Sequence, residues 1–511
     1  MLLVALHLLP VLLLEFFVTH DGPSHVYNTY IMSRLLDADA LNAQYFMFNP
    51  QPVPNWLGHV LLYFFNFFFS GNVSERILIG LYIIALAWSF RHLLLTVNPQ
   101  SRWASWLIFP FIYSLYLYQG LFNFCIAIPI LFYAVSYFIK DAARLSLKRF
   151  FVLTLLALLL YFSHIFFVIL FALVAAVCLI TEYFFNKKEN IGINFSAAFF
   201  RQAGFLTLTL LACIVLAIQF IVQNTGLNES GSELGFSERL QFLFIGRPLI
   251  TLDFEEEKYY AAVITSSFWI VLAFAFYFRI RNFKFLRSDS WLFTSLLILI
   301  IYFTVPDTLA SGSFVSIRIL MFFYLFMIVW ICTNRISEEV KNFSMIVFSA
   351  LSLFFLVYHY QVSENVDDEA REFISTSRFI PENSVVLPVS YSANWLHSNL
   401  SNYLGMEKNM ILLDNYEAAM SHFPTQWKAK SNPYTGMNLA YMSSPCMDIE
   451  RYEKITGKNI DYVIRWGFNK TFRDSCAEAV SDYLKKNYTH MFTSANEKAE
   501  VFKRKQQYPH F

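Results

Sequence analysis

Apolar residues fall in blocks of about 15–25, joined by short polar links, from Met1 to about residue 359, and there the blocks stop. Blocks of that length match a hydrocarbon core about 30 Å thick. The first runs from Met1 to Val18. It lacks a basic start and an Ala-x-Ala cleavage site, and Glu15 lies inside it, so it is expected to be a retained helix rather than a signal peptide. A polar stretch over residues 19–55 follows, with a short helix predicted over Tyr27–Asp39. It ends in Asn49-Pro50-Gln51-Pro52-Val53-Pro54-Asn55, which cannot be regular helix. Trp56 opens the next block, to about Ser70. Further spans are predicted at about 77–95, 103–118, 120–139, 148–161, 164–182, 197–220, 259–278, 291–305, 318–333 and 341–359. Two regions, 103–139 and 149–185, are interrupted at Gln119-Gly120 and Ser163-His164, and there a simple crossing is expected to fail. The fold class predicted is a polytopic α-helical membrane protein with about 11–13 transmembrane helices.

Beyond residue 359 the pattern changes. Strands are predicted at Ser384–Pro388, Met410–Leu413, Ile460–Arg465 and Glu500–Phe502. Helices are predicted at Asp367–Ser377, Asn415–His422, Met447–Thr456 and Asp474–Lys485. Such alternation predicts a small α/β domain over 360–511, after a membrane module over 1–359 whose long polar loops are 19–55 and 221–258. Three basic clusters, around Lys140–Arg149, Lys187-Lys188 and Arg279–Arg287, favour the cytoplasm. They place 221–258 and everything after 359 on the outer side.

Composition narrows the functions. Only 15% of residues are charged, and the net charge is +1. A soluble enzyme is excluded, and nothing supports nucleic-acid binding. Four of the six cysteines lie in apolar blocks; only Cys446 and Cys476 are placed to pair in a soluble domain. No metal-ligand spacing is present, so no residue is assigned to a metal.

Candidate chemistry begins at Thr19-His20-Asp21-Gly22-Pro23-Ser24-His25-Val26-Tyr27-Asn28. Asp21 and His25 lie four residues apart. If helix resumes after Pro23, its first turn presents these groups near its N-terminus, where backbone N–H groups favour anions. The alternative is that Asp21 caps the helix and His25 is solvated. Glu15, two turns earlier, either lines the same cavity or pairs elsewhere. His59, one turn into the next block, is within reach of Asp21 or bonds between helices. Tyr27, Tyr45 and Trp56 offer rings for sugar stacking. His164 and Asn123 are expected to be interhelical hydrogen-bonding residues. Arg318, at the outer end of a helix, suits a phosphate, as do Arg247 and Arg239 more weakly; the alternative is interfacial snorkelling. Glu255-Glu256-Glu257 is expected to be a solvated face.

The first-loop acid, the Pro52-Val53-Pro54-Asn55-Trp56-Leu57 entry to the next block, Glu75-Arg76, Gly120-Leu121-Phe122-Asn123-Phe124 and Pro306–Arg318 together resemble the GT-C superfamily. These are polytopic glycosyltransferases that use polyprenyl-phosphate-linked sugars. The resemblance is nearest to bacterial members with Asp-Gly-Pro-x-His after the first helix, and it covers residues 1–359. It implies an enzyme of the bacterial inner membrane with its C-terminal domain extracytoplasmic. Such an enzyme moves a sugar from a polyprenyl-phosphate donor to a hydroxyl acceptor, with Asp21 as base and Arg318 near the donor phosphate. Many relatives carry two adjacent acids; here Gly22 stands at the second position. That departure leaves open the cofactor, including a divalent metal, and two other readings: a transporter or flippase for a lipid-linked substrate, and an inactive scaffold presenting residues 360–511.

Overall fold

A computed structural model describes the whole chain except residues 141–143, 190–194, 224–233, 282–283, 309–311, 438, 440–446, 468–474 and 507–511. The chain divides into two compact units. One comprises Met1–Leu8, Leu81–Leu117 and Asn123–His359; the other comprises Leu9–Gly80, Tyr118–Phe122 and Tyr360–Phe511.

Among the described residues six helices are long and apolar enough to cross a membrane: Gly71–Val97, Phe122–Lys140, Ile165–Lys188, Ser196–Gln223, Phe254–Arg281 and Glu338–Phe379. Four shorter apolar helices join them, Leu2–Leu13, Leu57–Asn66, Asp289–Thr304 and Val315–Ile331. The polytopic helical class is therefore as expected. The predicted 103–118 span is not one helix. It is a 3-10 stretch, Ser101–Phe111, containing Pro110, followed by the short turn Leu115–Tyr118. Pro110 has no N–H to give to a helical ladder. The 149–185 region breaks at His164, whose extended backbone separates Leu147–Ser163 from Ile165–Lys188.

In the first unit, helix Val315–Ile331 is buried on every side from Ser316 to Ile331. A helix apolar all round has no face to give to solvent. Phe322 on it meets Phe166 and Phe167 with ring centroids 5.8 and 5.6 Å apart, and Phe124 and Phe167 stack edge-on at 4.8 Å. Part of the chain's 19% aromatic content is thus packing material. The acidic run is not uniformly solvated. Glu255 and Glu256 are exposed, but Glu257 is fully buried; its carboxylate accepts from the amides of Thr251 and Leu252 and meets His359 Nε2 at 3.1 Å.

Among its described residues the second unit contains seven strands: β1 Phe46–Phe48, β2 Val385–Ser390, β3 Ile411–Leu412, β4 Thr425–Trp427, β5 Tyr462–Trp466, β6 Tyr488–Thr493 and β7 Ala499–Arg504. Five form one mixed sheet in the order β3-β2-β5-β7-β6. β2 runs parallel to β3 and β5, while β7 is antiparallel to β5 and β6. β1 and β4 form a separate antiparallel pair, Phe46 opposite Trp427. Helices Ile449–Thr456 and Ser475–Asn487 lie close to prediction. Asn415–His422 does not form the predicted helix; only Glu417–Ala419 turns, as 3-10. Cys476 is disulfide-bonded; Cys446 lies outside the described residues.

Candidate functional site

The first helix ends at Leu13, not Val18. The residues after it are not helical, and side chains satisfy their backbone groups: Arg76 donates to Leu14 O (2.6 Å), Asn72 to Glu15 O (3.2 Å), and Phe16 N donates to Asp367 (2.8 Å). Backbone groups that leave a helix need other partners. Glu15 consequently sits outside the helix and is exposed.

Helix Gly22–Leu36 begins where Pro23 allows, since a proline at the first turn gives up an N–H that has no helical partner anyway. Asp21 is its N-cap residue, yet its carboxylate makes no capping bond. Thr19 Oγ1 accepts from Gly22 N instead, at 3.1 Å. The Asp21 carboxylate is faced by His20 Nδ1 at 2.9 Å and by Asn399 Nδ2 at 3.3 Å. It remains slightly open, its side chain 12% exposed.

Two neighbours hold this start in place. Gly120 has φ +73°, and its backbone lies so close that a Cβ there would sit 2.6 Å from the amide nitrogens of both Asp21 and Gly22. Gln119 O accepts from Asp21 N, and Tyr118 O from His20 N. Beside Gly22 stands Glu75, buried, with Oε1 inside the space a Cβ at position 22 would need. Its Oε2 accepts from Tyr403 OH at 2.6 Å, while Oε1 has no protein hydrogen-bond partner. The chain thus lacks a second acid at position 22 but brings one to that spot from the start of helix Gly71–Val97.

One turn beyond Asp21, His25 meets His59 and Glu417. His25 Nδ1 lies 2.9 Å from Glu417 Oε2, and His59 Nε2 contacts Oε1. The imidazole rings stand edge-on at 4.9 Å, with Phe122 and Phe423 against them. Burial opposes protonation of His25, but Glu417 and then Asp21 outweigh it and hold its pKa above the usual histidine value. Burial likewise opposes ionisation of Glu417, but His59 and His25 bring its pKa down to about 2. His59, read from the sequence as within reach of Asp21 or as a bond between helices, contacts Glu417. Glu417 carries no local signal, since 392 residues separate it from His25.

Tyr27 is wholly enclosed. Its hydroxyl donates to Met410 O (2.8 Å) and accepts from Leu412 N (3.0 Å), so it presents no ring face to a sugar.

The two arginines lie in the first unit. Arg318 begins the buried helix, with Nη1 3.2 Å from His164 Nε2 and its guanidinium 5.3 Å from the Phe124 ring centroid. Arg247 donates to Ile250 O at 2.7 Å and stands over Phe242 and Phe254. Both act electrostatically on Tyr116. The Tyr116 hydroxyl is buried without a protein hydrogen-bond partner. Arg239 is committed to the carbonyls of Tyr302 and Val305.

No family model matches the chain, and no curated protein matches its sequence. Among solved structures it is similar to ArnT from Cupriavidus metallidurans in the apo state, with a TM-score of 0.54 at 9% identity, over 98% of this chain and 97% of that one. At that identity the likeness concerns the fold. That fold, here six long apolar helices among the described residues and a mixed C-terminal sheet, is matched over nearly the whole of both chains.

Proposed function

We propose that this protein is a membrane glycosyltransferase that moves a sugar from a polyprenyl-phosphate donor to a hydroxyl acceptor on the outer face of a bacterial inner membrane. Asp21 accepts the proton of the acceptor hydroxyl as that oxygen attacks the anomeric carbon. The bond to phosphate breaks on the opposite side, so the sugar inverts. Arg318 and Arg247 receive the departing phosphate, with the Tyr116 hydroxyl as a further donor. Residues 360–511 form the extracytoplasmic region that helps select the acceptor.

The observation that carries this reading is the Asp21 carboxylate. It stands at a helix start without capping it, stays partly open, and has a second buried acid, Glu75, close by. Likeness of fold to ArnT over the full chain supports the reaction class. The test uses purified full-length protein, a polyprenyl-phosphate sugar and a hydroxyl acceptor. Asp21→Asn is expected to reduce transfer by about two to four powers of ten, the range for a general base, while folding is retained. Arg318→Ala is expected to lower transfer through weaker donor binding. Undiminished transfer by Asp21→Asn would remove Asp21 from the base role.

A further inference from the structure

The cluster of His25, His59 and Glu417 joins three stretches of the second unit: helix Gly22–Leu36, helix Leu57–Asn66 and the turn Glu417–Ala419. One ligating atom from each lies within 4.8 Å of the others, and all three residues are buried. Their side chains are 5%, 1% and 0% exposed, so bulk water does not mediate between them.

The carbonyls beside the rings fix which nitrogen of each faces Glu417. His25 Nε2 is 2.9 Å from Gly120 O, and His59 Nδ1 is 3.1 Å from Asn55 O. A backbone carbonyl only accepts, so these are the nitrogens that carry hydrogen. In each neutral ring the remaining nitrogen is bare, and in each it points at Glu417. A bare nitrogen against a carboxylate oxygen is lone pair against lone pair. Each contact therefore needs a positive centre. Protons can supply that centre, as Glu417 favours protonated His25, but serving both contacts that way takes two added protons among three buried groups. One divalent cation serves all three groups at once.

The supporting contacts are those of metal-binding histidines, which donate the remote ring N–H to a carbonyl or carboxylate and so fix both tautomer and ring orientation. Asn55 reaches its position through a left-handed backbone, φ 68°, inside Pro52-Val53-Pro54-Asn55. Gly120 also adopts a left-handed conformation. Both carbonyls are thus set by unusual local backbone, not by regular helix. Two imidazoles and one carboxylate are a donor set suited to zinc.

We propose that His25 Nδ1, His59 Nε2 and the Glu417 carboxylate form a binding site for one Zn²⁺. Three protein ligands leave a tetrahedral ion one position for water. The ion ties the start of helix Gly22–Leu36 to the 417 turn. His25 N donates to Asp21 O at 3.1 Å, so the ion also fixes the backbone that carries the Asp21 carboxylate. The site stands on its own residues and does not depend on the glycosyltransferase reading.

The experiment measures metal in full-length protein purified in detergent without chelator, by elemental mass spectrometry against protein concentration. One zinc per chain is expected for the native sequence, and its loss in His59→Gln and in Glu417→Gln. A second measurement needs no variant. Native protein stripped with chelator should regain thermal stability on adding zinc sulfate but not magnesium sulfate. Added cobalt should show the visible bands of a tetrahedral N/O site. Native protein without stoichiometric zinc, and with a melting midpoint indifferent to added zinc, overturns the proposal. So does zinc retained in full by both variants, which would be adventitious binding elsewhere. Zinc without sugar transfer leaves this site standing and removes the proposed enzyme; transfer by native protein that neither holds zinc nor is stabilised by it does the reverse.

Discussion

Replacing Gly120 by alanine tests how the start of helix Gly22–Leu36 is held. The new Cβ would lie 2.6 Å from the amide nitrogens of Asp21 and Gly22 and 2.9 Å from Thr19 Oγ1. Two of these three atoms are backbone, and the Asp21 and His20 amides are already bonded to Gln119 and Tyr118 carbonyls. No side chain can swing aside to make room, so the segment itself must move by the better part of an ångström. Holding a non-glycine residue at φ +73° costs about 1–2 kcal/mol, and overpacking a close contact costs about 1–3 kcal/mol. Together these give about 3 kcal/mol, which lowers the melting midpoint of a unit this size by about 6–12 °C. A displacement of about 1 Å at a catalytic group also costs about a hundredfold in rate. The assay compares Gly120→Ala with Gly204→Ala by thermal melting in detergent at one scan rate, alongside sugar transfer. Gly204 lies in helix Phe195–Gln223, and a Cβ added there would meet nothing within 4 Å, so alanine should leave the midpoint unchanged or slightly raised. Gly120→Ala melting with the native midpoint, and transferring at the native rate, would refute the account of how Asp21 is positioned.

Two further outcomes follow from buried carboxylates. Glu75→Gln keeps an acceptor for Tyr403 but removes the titratable carboxyl beside Gly22; transfer should fall at least about tenfold with the melting midpoint preserved, as expected for a group that exchanges a proton near the reacting centre, and a native rate would show that this acid plays no part. Asp414 is pushed up to about 7 from 3.8 by burial, partly offset by the Ser401 hydroxyl. A carboxylate raised in this way keeps its full contribution below its unfolded pKa and loses it as pH climbs through the folded value. The native protein should therefore lose stability between pH 3.8 and about 7, and Asp414→Asn should flatten that loss and melt higher than native at pH 8 but not at pH 4. Parallel melting curves at the two pH values would contradict it.

The sequence by itself determined the elements whose cause is local. Apolar blocks as long as a bilayer is thick must bury their backbone polar groups in helix, so the polytopic class was legible, as was the break at His164. The helix predicted over Tyr27–Asp39 exists but begins earlier, at Gly22, and short apolar runs announced β2, β3, β5 and β7. Tertiary structure decided what depends on partners far along the chain. The three-residue strands β1 and β4 exist because they pair with each other. The predicted helix at Asn415–His422 gives way because Asn415 is bound through its side chain to Asn28 and through its carbonyl to Trp427. Gly22 looked like a missing acid, but only the fold brings Glu75 into that space. Asp21 read as a possible cap, but only the fold shows Thr19 taking the amide and leaving the carboxylate to His20 and Asn399. Local pattern governs where backbone hydrogen bonds can close within a few residues. Side-chain chemistry at Asp21, His25 and His59 is set by Asn399, Glu75 and Glu417, and no local periodicity records contacts of that range.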